Sequence, residues 1–442
     1  MDVRGSIRKT YARWCAESHV AAWVTAALLV MALVSVILGI ATLGYTFENM
    51  LFVGRDSYWN DFFDSVYFSY EDPYTVAKVL YPPLITVIYA LIADYLIPRV
   101  GGYTPFDPDY EHHIDLYSNV LRDSDLGAAI YLSITAVGLV LLYILIWKFL
   151  KSRNFKLNIW LFALLAIVSY PIVFTVDRGN CILFTALFCL YFVYGYESEN
   201  RAFRWTAYIA LALAIAIKVY PVFFLALFFR NRNWKGFFSI VALSVFLLLF
   251  PFVFTDGTPS MLLDTMMSHS SNSAGSNGVI NIQDWVYFLI GKFVSDGTVS
   301  AVSMVVVIAF ELLALYIVAT RKEMKEWEVM MLVTSMLVFG PGVGAAYLLD
   351  YALIPLLYFV TEERELDRRT LFCAFCFVAA LCLNPWFDAY HNVLASLKTI
   401  PLLLMTIMII LDQFPKGRDF LARFGMLPGQ VPDRRISRAQ TN

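Results

Sequence analysis

The chain has 442 residues, 60% of them hydrophobic and 15% charged, with a formal net charge of −2. Soluble proteins carry roughly 25% charged residues, so the composition excludes a string of soluble domains and predicts a polytopic membrane protein with its helices in one bundle. The near-neutral charge gives nucleic acid no reason to be a partner.

The N-terminal segment MDVRGSIRKTYARWCAESH leads into an apolar stretch at 20–44. That stretch exceeds a signal-peptide core of roughly 7–15 residues, and no Ala-x-Ala-like site closes it, so a retained transmembrane helix is predicted. A span needs roughly 20 apolar residues. Further candidates are 127–150, 157–176, 180–196, 234–254, 298–320, 326–343, 345–361, 370–384 and 391–411. Apolar pieces at 79–97, 206–217 and 219–229 are shorter and read either as short spans or as re-entrant segments. The expected fold is an all-α polytopic bundle of about 10–13 transmembrane or re-entrant helices. It forms one domain over 1–442, with an acidic loop at 45–78, a second loop with a short amphipathic helix at 255–297, and a tail at 413–442.

Basic residues set the orientation. The N-terminus, KSRNFK at 151–156, ENRAFRW at 199–205, RNRNWK at 230–235, RKEMK at 321–325, ERELDRR at 363–369 and the tail from Lys416 all vote cytoplasmic, with both termini inside. The loops 45–78, 171–180, 255–297, 341–344 and 384–390 then face outward, across a plasma (inner) membrane. For the votes of Arg201, Arg204 and Arg230 to agree, 206–229 must go in and come back, pivoting near Lys218-Val219-Tyr220-Pro221. The 79–97 piece must be re-entrant unless one basic vote is wrong. Broken backbone at membrane depth is tolerated only where protein or a water-filled cavity satisfies it, so both places predict a cavity in the first half.

Loop 45–78 holds Asp56, Asp61, Asp64, Glu71 and Asp72 among Tyr58, Trp59, Phe62, Phe63, Tyr67, Phe68 and Tyr70. On a helix, Asp61 and Asp64 share a face at i and i+3. Two carboxylates in a partly dry cleft can differ in acidity, and one can serve as a base. The plain alternative is an interfacial helix with a solvated acidic face. Next, Asp177, Arg178 and Asn180 flank Gly179, which permits a tight turn or the close approach of a partner. The helix beginning near Asn180 can aim N–H groups at an anion; the plain alternative is an Arg178–Asp177 turn and cap. Lys218 has no charged neighbour for about ten residues either way, and a membrane-buried lysine costs on the order of 3 kcal/mol unless it faces a cavity or a partner. An anion-binding role is expected, against snorkelling as the plain reading.

Downstream, His269, Asn272, Asn277 and Gln283 are neutral hydrogen-bonding groups of the kind that read sugar hydroxyls, and Tyr347 and Asp350 sit near the outer end of a helix. LNPWFDAYHN at 383–392 adds Trp386, Asp388 and His391. There is no G-x-G-x-x-G after a strand, no P-loop and no convincing metal-ligand spacing. Asp107 and Asp109, with His112, His113 and Asp115, form a weak candidate for a divalent ion. Cys15, Cys181, Cys189, Cys373, Cys376 and Cys382 lie in or beside apolar segments and read as small buried thiols.

The ordered set Asp61-Phe62-Phe63-Asp64-Ser65-Val66-Tyr67, Pro73-Tyr74, Tyr81-Pro82-Pro83-Leu84, Arg178-Gly179-Asn180 and Lys218-Val219-Tyr220-Pro221, followed by RNRNWK, resembles the C-type multi-spanning membrane glycosyltransferases, specifically glycosyltransferase family 87. The likeness covers about 45–235; the distal half matches in general character only, and the long 98–126 loop departs from the family. The resemblance implies a polyprenyl-phosphate sugar as donor, typically mannose, a glycolipid or glycan acceptor, and inversion at the anomeric carbon without a metal or other cofactor. It places the catalytic base on Asp61 or Asp64, with Asp61 preferred. Lys218 and Arg178 are expected to stabilise the lipid phosphate, with Asn180 and Tyr220 positioned around them. Tyr67, Tyr81, His269, Asn272 and Tyr347 are candidates for sugar or acceptor contacts. A secondary transporter would also use broken helices around a buried lysine, but the two halves show no internal symmetry; a lipid flippase would not need a loop carboxylate.

Overall fold

The computed structural model describes residues 18–47, 58–70, 73–75, 79–101, 113–155, 157–255, 257–272, 281–340, 346–383 and 391–427. Among them every regular element is helical. In chain order these are α1 (His19–Ala41), α2 (Asn60–Phe68), α3 (Pro83–Val100), α4 (His113–Arg122), α5 (Asp125–Ser152), α6 (Ile159–Ile167), α7 (Tyr170–Arg178), α8 (Ile182–Gly195) and α9 (Arg201–Ile217). A 3₁₀ turn at Tyr220–Leu225 leads to α10 (Ala226–Asn231), and α11 (Trp234–Leu249) runs on into a 3₁₀ turn at Phe250–Phe254. There follow α12 (Pro259–Asn272), α13 (Ile282–Ile290), α14 (Asp296–Thr320), α15 (Glu326–Phe339), a 3₁₀ segment at Ala346–Ala352, α16 (Leu353–Glu362), α17 (Arg368–Leu381), α18 (His391–Asp412) and α19 (Pro415–Arg423).

Among the described residues, five helices are long and apolar enough to cross a bilayer: α1, α3, α5, α11 with its 3₁₀ extension, and α14. The stretch expected as one span at 157–176 is instead broken into α6 and α7, bent by 46°. Pro171 explains the break: it stands in the first turn of α7, where a missing N–H costs nothing, and could not continue α6. Most of the remaining apolar helices are shorter, and protein rather than lipid covers α15 and α16. In α15 every residue from Trp327 to Phe339 is buried.

The basic loops gather at one end of the bundle. Arg153 pairs with Glu326 at 2.6 Å and Lys325 with Glu363 at 2.5 Å. Arg230 donates to the carbonyls of Arg321 and Lys322, and Asn231 to Glu197. Arg369 bridges Glu328 and Asp412, and Ser18 at the head of α1 donates to the carbonyl of Glu363. We call this the basic end. The opposite end, the site end, joins residues 58–61, 122–124 and 177–181. From the basic end α9 climbs to Ile217, and the chain returns through the 3₁₀ turn and α10 to Asn231, so the reversal sits at Lys218 as the sequence predicts.

Two cores organise the packing. The larger runs through α1, α5 to α9, α15, α16 and α17. The smaller gathers Phe62, Phe63, Val66 and Tyr67 of α2 with Ile85, Tyr89, Leu96 and Ile97 of α3, Leu121 and Tyr131. The buried apolar side chains of α3 enter only this smaller core, and α3 itself, unbroken over 18 residues and apolar enough to cross, is a candidate span rather than a bent re-entrant piece.

Candidate functional site

The site is built on the corner between α7 and α8. Gly179 ends α7 in the left-handed region (φ 72°), and two bonds close the corner: Gly179 N–H to the Val176 carbonyl at 3.2 Å and Asn180 N–H to the Thr175 carbonyl at 3.0 Å. This pairing is the glycine-terminated helix stop described by Schellman. Asn180 then faces two ways. Its side-chain oxygen accepts the Ile182 N–H at 3.1 Å at the start of α8. That fixes the amide so that its NH₂ points at Asp61, where Nδ2 donates to Oδ2 at 2.7 Å. Arg178 Nη2 donates to the other carboxylate oxygen, Oδ1, at 2.8 Å.

Helix α2 is seated against the same corner. Trp59, itself left-handed at φ 58°, donates its N–H to the Asp177 carbonyl at 2.6 Å. A Cβ on Gly179 would lie 2.9 Å from Phe62 Cβ and 3.1 Å from the Trp59 carbonyl oxygen, so this glycine supplies both the turn and the room for α2. A clamp holds the start of α2 from the other side: Arg122 donates to Asn60 Oδ1 and to Asp123, and Tyr58 donates to Asp123 at 2.8 Å. Burial pushes the Asp123 carboxyl up, but the hydrogen bonds and charge of Arg122 and Tyr58 outweigh it and hold the group below its ordinary value. Burial first, then Asp123, pushes the Tyr58 phenol up.

Lys218, in the extended link after α9, holds its ammonium 4.0 Å from the centroid of the Tyr81 ring. The Tyr81 hydroxyl lies 3.4 Å from Asn180 Nδ2. Lys218 is within electrostatic reach of Asp61, and Tyr347 within reach of Asp61, Tyr220 and Arg178. One cluster of neighbouring side chains, the chamber, therefore gathers Asp61, Tyr81, Arg178, Asn180, Lys218, Tyr220 and Tyr347. Beside it lies an apolar cavity of about 250 Å³, lined by Tyr89, Ile134, Asn180 and Leu183 among others.

The other candidates lie elsewhere. Asp64 is one turn along α2 and within electrostatic reach of Arg178. Tyr67, 3% exposed, is packed into the smaller core rather than the chamber. His269 and Asn272 fall on the last turn of α12, with side chains outside the described residues. Gln283 stands in the first turn of α13, whose Asn281–Asp284 capping box confirms the short helix expected in that loop. Asp56, Glu71, Asp72, Asn277, Trp386, Asp388, Asp107, Asp109 and His112 lie outside the described residues, as do the side chains of His113, Asp115 and His391. Arg178 does not form the turn-and-cap pair with Asp177; it reaches across to α2.

Two features went unread in the sequence, and a third, Asp350, was marked there without its partner. Arg122, Asp123 and Asn60 form the clamp on α2, with no local motif to announce it. Asp350 is buried and accepts a hydrogen bond from Thr175 at 2.8 Å, tying α7 to the 3₁₀ segment. Lys398 is a second lone lysine in an apolar helix; its ammonium donates to the Cys382 carbonyl at 2.5 Å and caps the end of α17. The lone-lysine signal that marks Lys218 was equally available there and marks a structural role.

Chemically, the chamber presents a carboxylate with a spare lone pair on each oxygen, two cations, and an apolar recess alongside. Such a set suits a charged headgroup on an apolar tail. The model of glycosyltransferase family 87 matches residues 79–341 of the chain. No curated protein matches it, and no solved structure does.

Proposed function

The chain belongs to glycosyltransferase family 87, and from that we propose that it moves a sugar from a polyprenyl-phosphate donor onto a glycolipid or glycan acceptor at the outer face of the membrane, inverting the anomeric carbon without a metal or other cofactor. Mannose is the sugar the resemblance favours. The observation that carries the proposal is the convergence of Asp61, Arg178, Asn180 and Lys218 in one chamber beside an apolar cavity.

The acceptor hydroxyl attacks the anomeric carbon as the bond from that carbon to the lipid phosphate oxygen breaks. Asp61 takes the hydroxyl proton, and polyprenyl phosphate leaves with the bonding pair. Negative charge grows on the phosphate, where Lys218 and Arg178 supply preorganised positive charge. Inversion in one displacement needs no second nucleophilic carboxylate.

The resting ion pair has a role in this reading. Arg178 holds Asp61 when no donor is present. A donor phosphate competes for the guanidinium, which frees a carboxylate oxygen of Asp61 to accept the hydrogen bond of the acceptor hydroxyl. Asn180 keeps Asp61 aimed while Arg178 turns to the phosphate. Tyr81 and Tyr347 stand where a sugar ring would meet aromatic faces. The gathering of the basic loops at the far end supports an outward-facing chamber, since basic loops remain cytoplasmic.

The test is to incubate the purified full-length chain with polyprenyl-phosphate mannose and an acceptor lipid. Release of free polyprenyl phosphate together with a glycosylated acceptor is expected. Uptake of donor into vesicles with no bond cleavage would replace the enzyme with a carrier.

A further inference from the structure

A second recess adjoins the chamber's cavity at Phe188 and runs from there to the basic end. It is a groove of about 1060 Å³ between α5, α8 and α9. Both α5 and α9 pack on α8, and the space between them is left open with α8 as its floor. Leu187 and Phe188 form that floor, and Leu141 and Ile144 of α5 and Ile209 of α9 stand exposed on its walls, so it opens sideways toward lipid.

The polar groups of the groove are confined to its basic end. Lys148 and Lys151 stand at i and i+3 on α5 and share a face. Lys151 leans on the Trp147 ring at 4.8 Å, and neither lysine has an ion-pair partner among the described residues, whereas the neighbouring Arg153 is taken by Glu326. Across the groove the Tyr191 and Thr206 hydroxyls bond each other at 2.9 Å. The recess is thus a wide apolar trough with a pair of uncommitted cations at one end, which complements one ligand shape: acyl chains below an anionic headgroup. Basic pockets between membrane helices on the cytoplasmic side bind anionic headgroups for this reason.

We propose that this groove is a binding site for an anionic phospholipid, with its phosphate on Lys148 and Lys151 and its acyl chains between α5 and α9. The lipid is distinct from the donor. From Thr135, beside the chamber's own cavity, to Lys151 is 16 residues of α5, or roughly 24 Å along the helix. A phosphate held by Lys218 and Arg178 cannot also rest on Lys151. Phe188 borders both recesses and separates the two lipids. The proposal does not rest on the catalytic reading.

The experiment is native mass spectrometry of the full chain released from mixed micelles holding equal amounts of dioleoyl phosphatidylglycerol and dioleoyl phosphatidylcholine. A retained phosphatidylglycerol adduct is expected on the unaltered chain and on the control Lys235→Gln, and its loss on Lys148→Gln/Lys151→Gln. Both lysines are exposed, so the double variant keeps its fold. Ile209→Trp, which enlarges an exposed wall of the groove with the lysines intact, should also lose the adduct. Equal retention of both lipids, or a phosphatidylglycerol preference untouched by the double variant, overturns the proposal. Displacement of phosphatidylglycerol by added polyprenyl phosphate at equal concentration assigns the groove to the donor and overturns it too.

Discussion

Arg178 and Asp61 are 117 residues apart in sequence and 2.8 Å apart in space, joined across a left-handed glycine turn that any side chain would strain and crowd. Nothing local draws them together. The pair forms because α2 is seated on the α7–α8 corner, and it places the one acid of α2 that touches both Arg178 and Asn180 beside the chamber.

Asp61→Asn keeps the hydrogen bond from Asn180 and removes the base. Transfer from polyprenyl-phosphate mannose should fall by roughly 10²- to 10⁴-fold in kcat, the usual worth of a positioned general base. KM for the donor should change far less. Asp64→Asn should fall by much less than Asp61→Asn in the same assay. The reverse ranking moves the base to Asp64.

A double-mutant cycle reads the ion pair. Each of Asp61→Asn and Arg178→Gln leaves the partner uncompensated in a partly buried place, with side-chain exposures of 17% and 23%. The double variant relieves that. Thermal unfolding in detergent should give a coupling of about 0.5–3 kcal/mol. A coupling near zero means the pair is solvent-screened and that Arg178 is free to serve only the donor.

Gly179→Ala and Gly44→Ala separate strain from crowding. Both glycines have positive φ, 72° and 94°, but nothing lies within 4 Å of a Cβ on Gly44. Each alanine should cost about 1–2 kcal/mol for the left-handed backbone. Only Gly179→Ala also pushes on Phe62 and Trp59, and so only it should displace α2 and lower transfer beyond its loss of stability. Melting temperature and kcat measured on both variants check this. Equal activity in the two removes α2 seating from the argument.

Much of this was legible from the chain. Four of the five spans were readable because membrane helices must be apolar over a fixed length, whereas α3 was set aside as a short or re-entrant piece and several stretches read as spans are shorter helices. The reversal at Lys218 was readable because a lone lysine beside Tyr220-Pro221 can neither continue a helix nor face lipid. Asp61, Arg178 and Asn180 were each marked as polar groups at the ends of apolar runs. Their mutual contact was not, since it depends on the seat of α2, and Gly179 hinted at a close approach without naming who approaches. The break at 168–169 had a signal in Pro171. The short helices α4, α12 and α19 had little beyond a first-turn proline in two of them. Tyr67, a candidate for sugar or acceptor contacts, packs in the smaller core, a placement the sequence left open because an aromatic on a short interfacial helix can turn either way.

Tyr81 connects Lys218 with Asp61, the cation through its ring and the carboxylate through Asn180. Tyr81→Phe keeps the face under Lys218 and gives up only a long contact of 3.4 Å, so transfer should stay within about threefold of the unaltered enzyme. Tyr81→Leu removes the face. A desolvated cation–π contact is worth about 2 kcal/mol, so a loss of roughly 30-fold is expected, at 1.4 kcal/mol per decade. Equal effects of Phe and Leu would give the weight to the hydroxyl instead.

The clamp on α2 should make the site acid-labile. Asp123 sits in the turn between α4 and α5, outside the spans, and its carboxyl is held below the ordinary value against the opposing effect of burial. A carboxyl depressed on folding contributes stability above its unfolded value of roughly 4, and that contribution is lost as pH falls through the lower folded value. Asp123→Asn cannot titrate. The melting temperature of the unaltered chain should therefore exceed that of Asp123→Asn at pH 7, and the gap should close as pH is lowered through about 4. Because Asp123 is half exposed, the gap is small and salt-sensitive. Transfer activity should follow the same curve, since Tyr58 and Asn60, which the clamp holds, stand immediately before Asp61. A gap that stays constant with pH would mean that Asp123 acts only as a hydrogen-bond acceptor, which asparagine replaces.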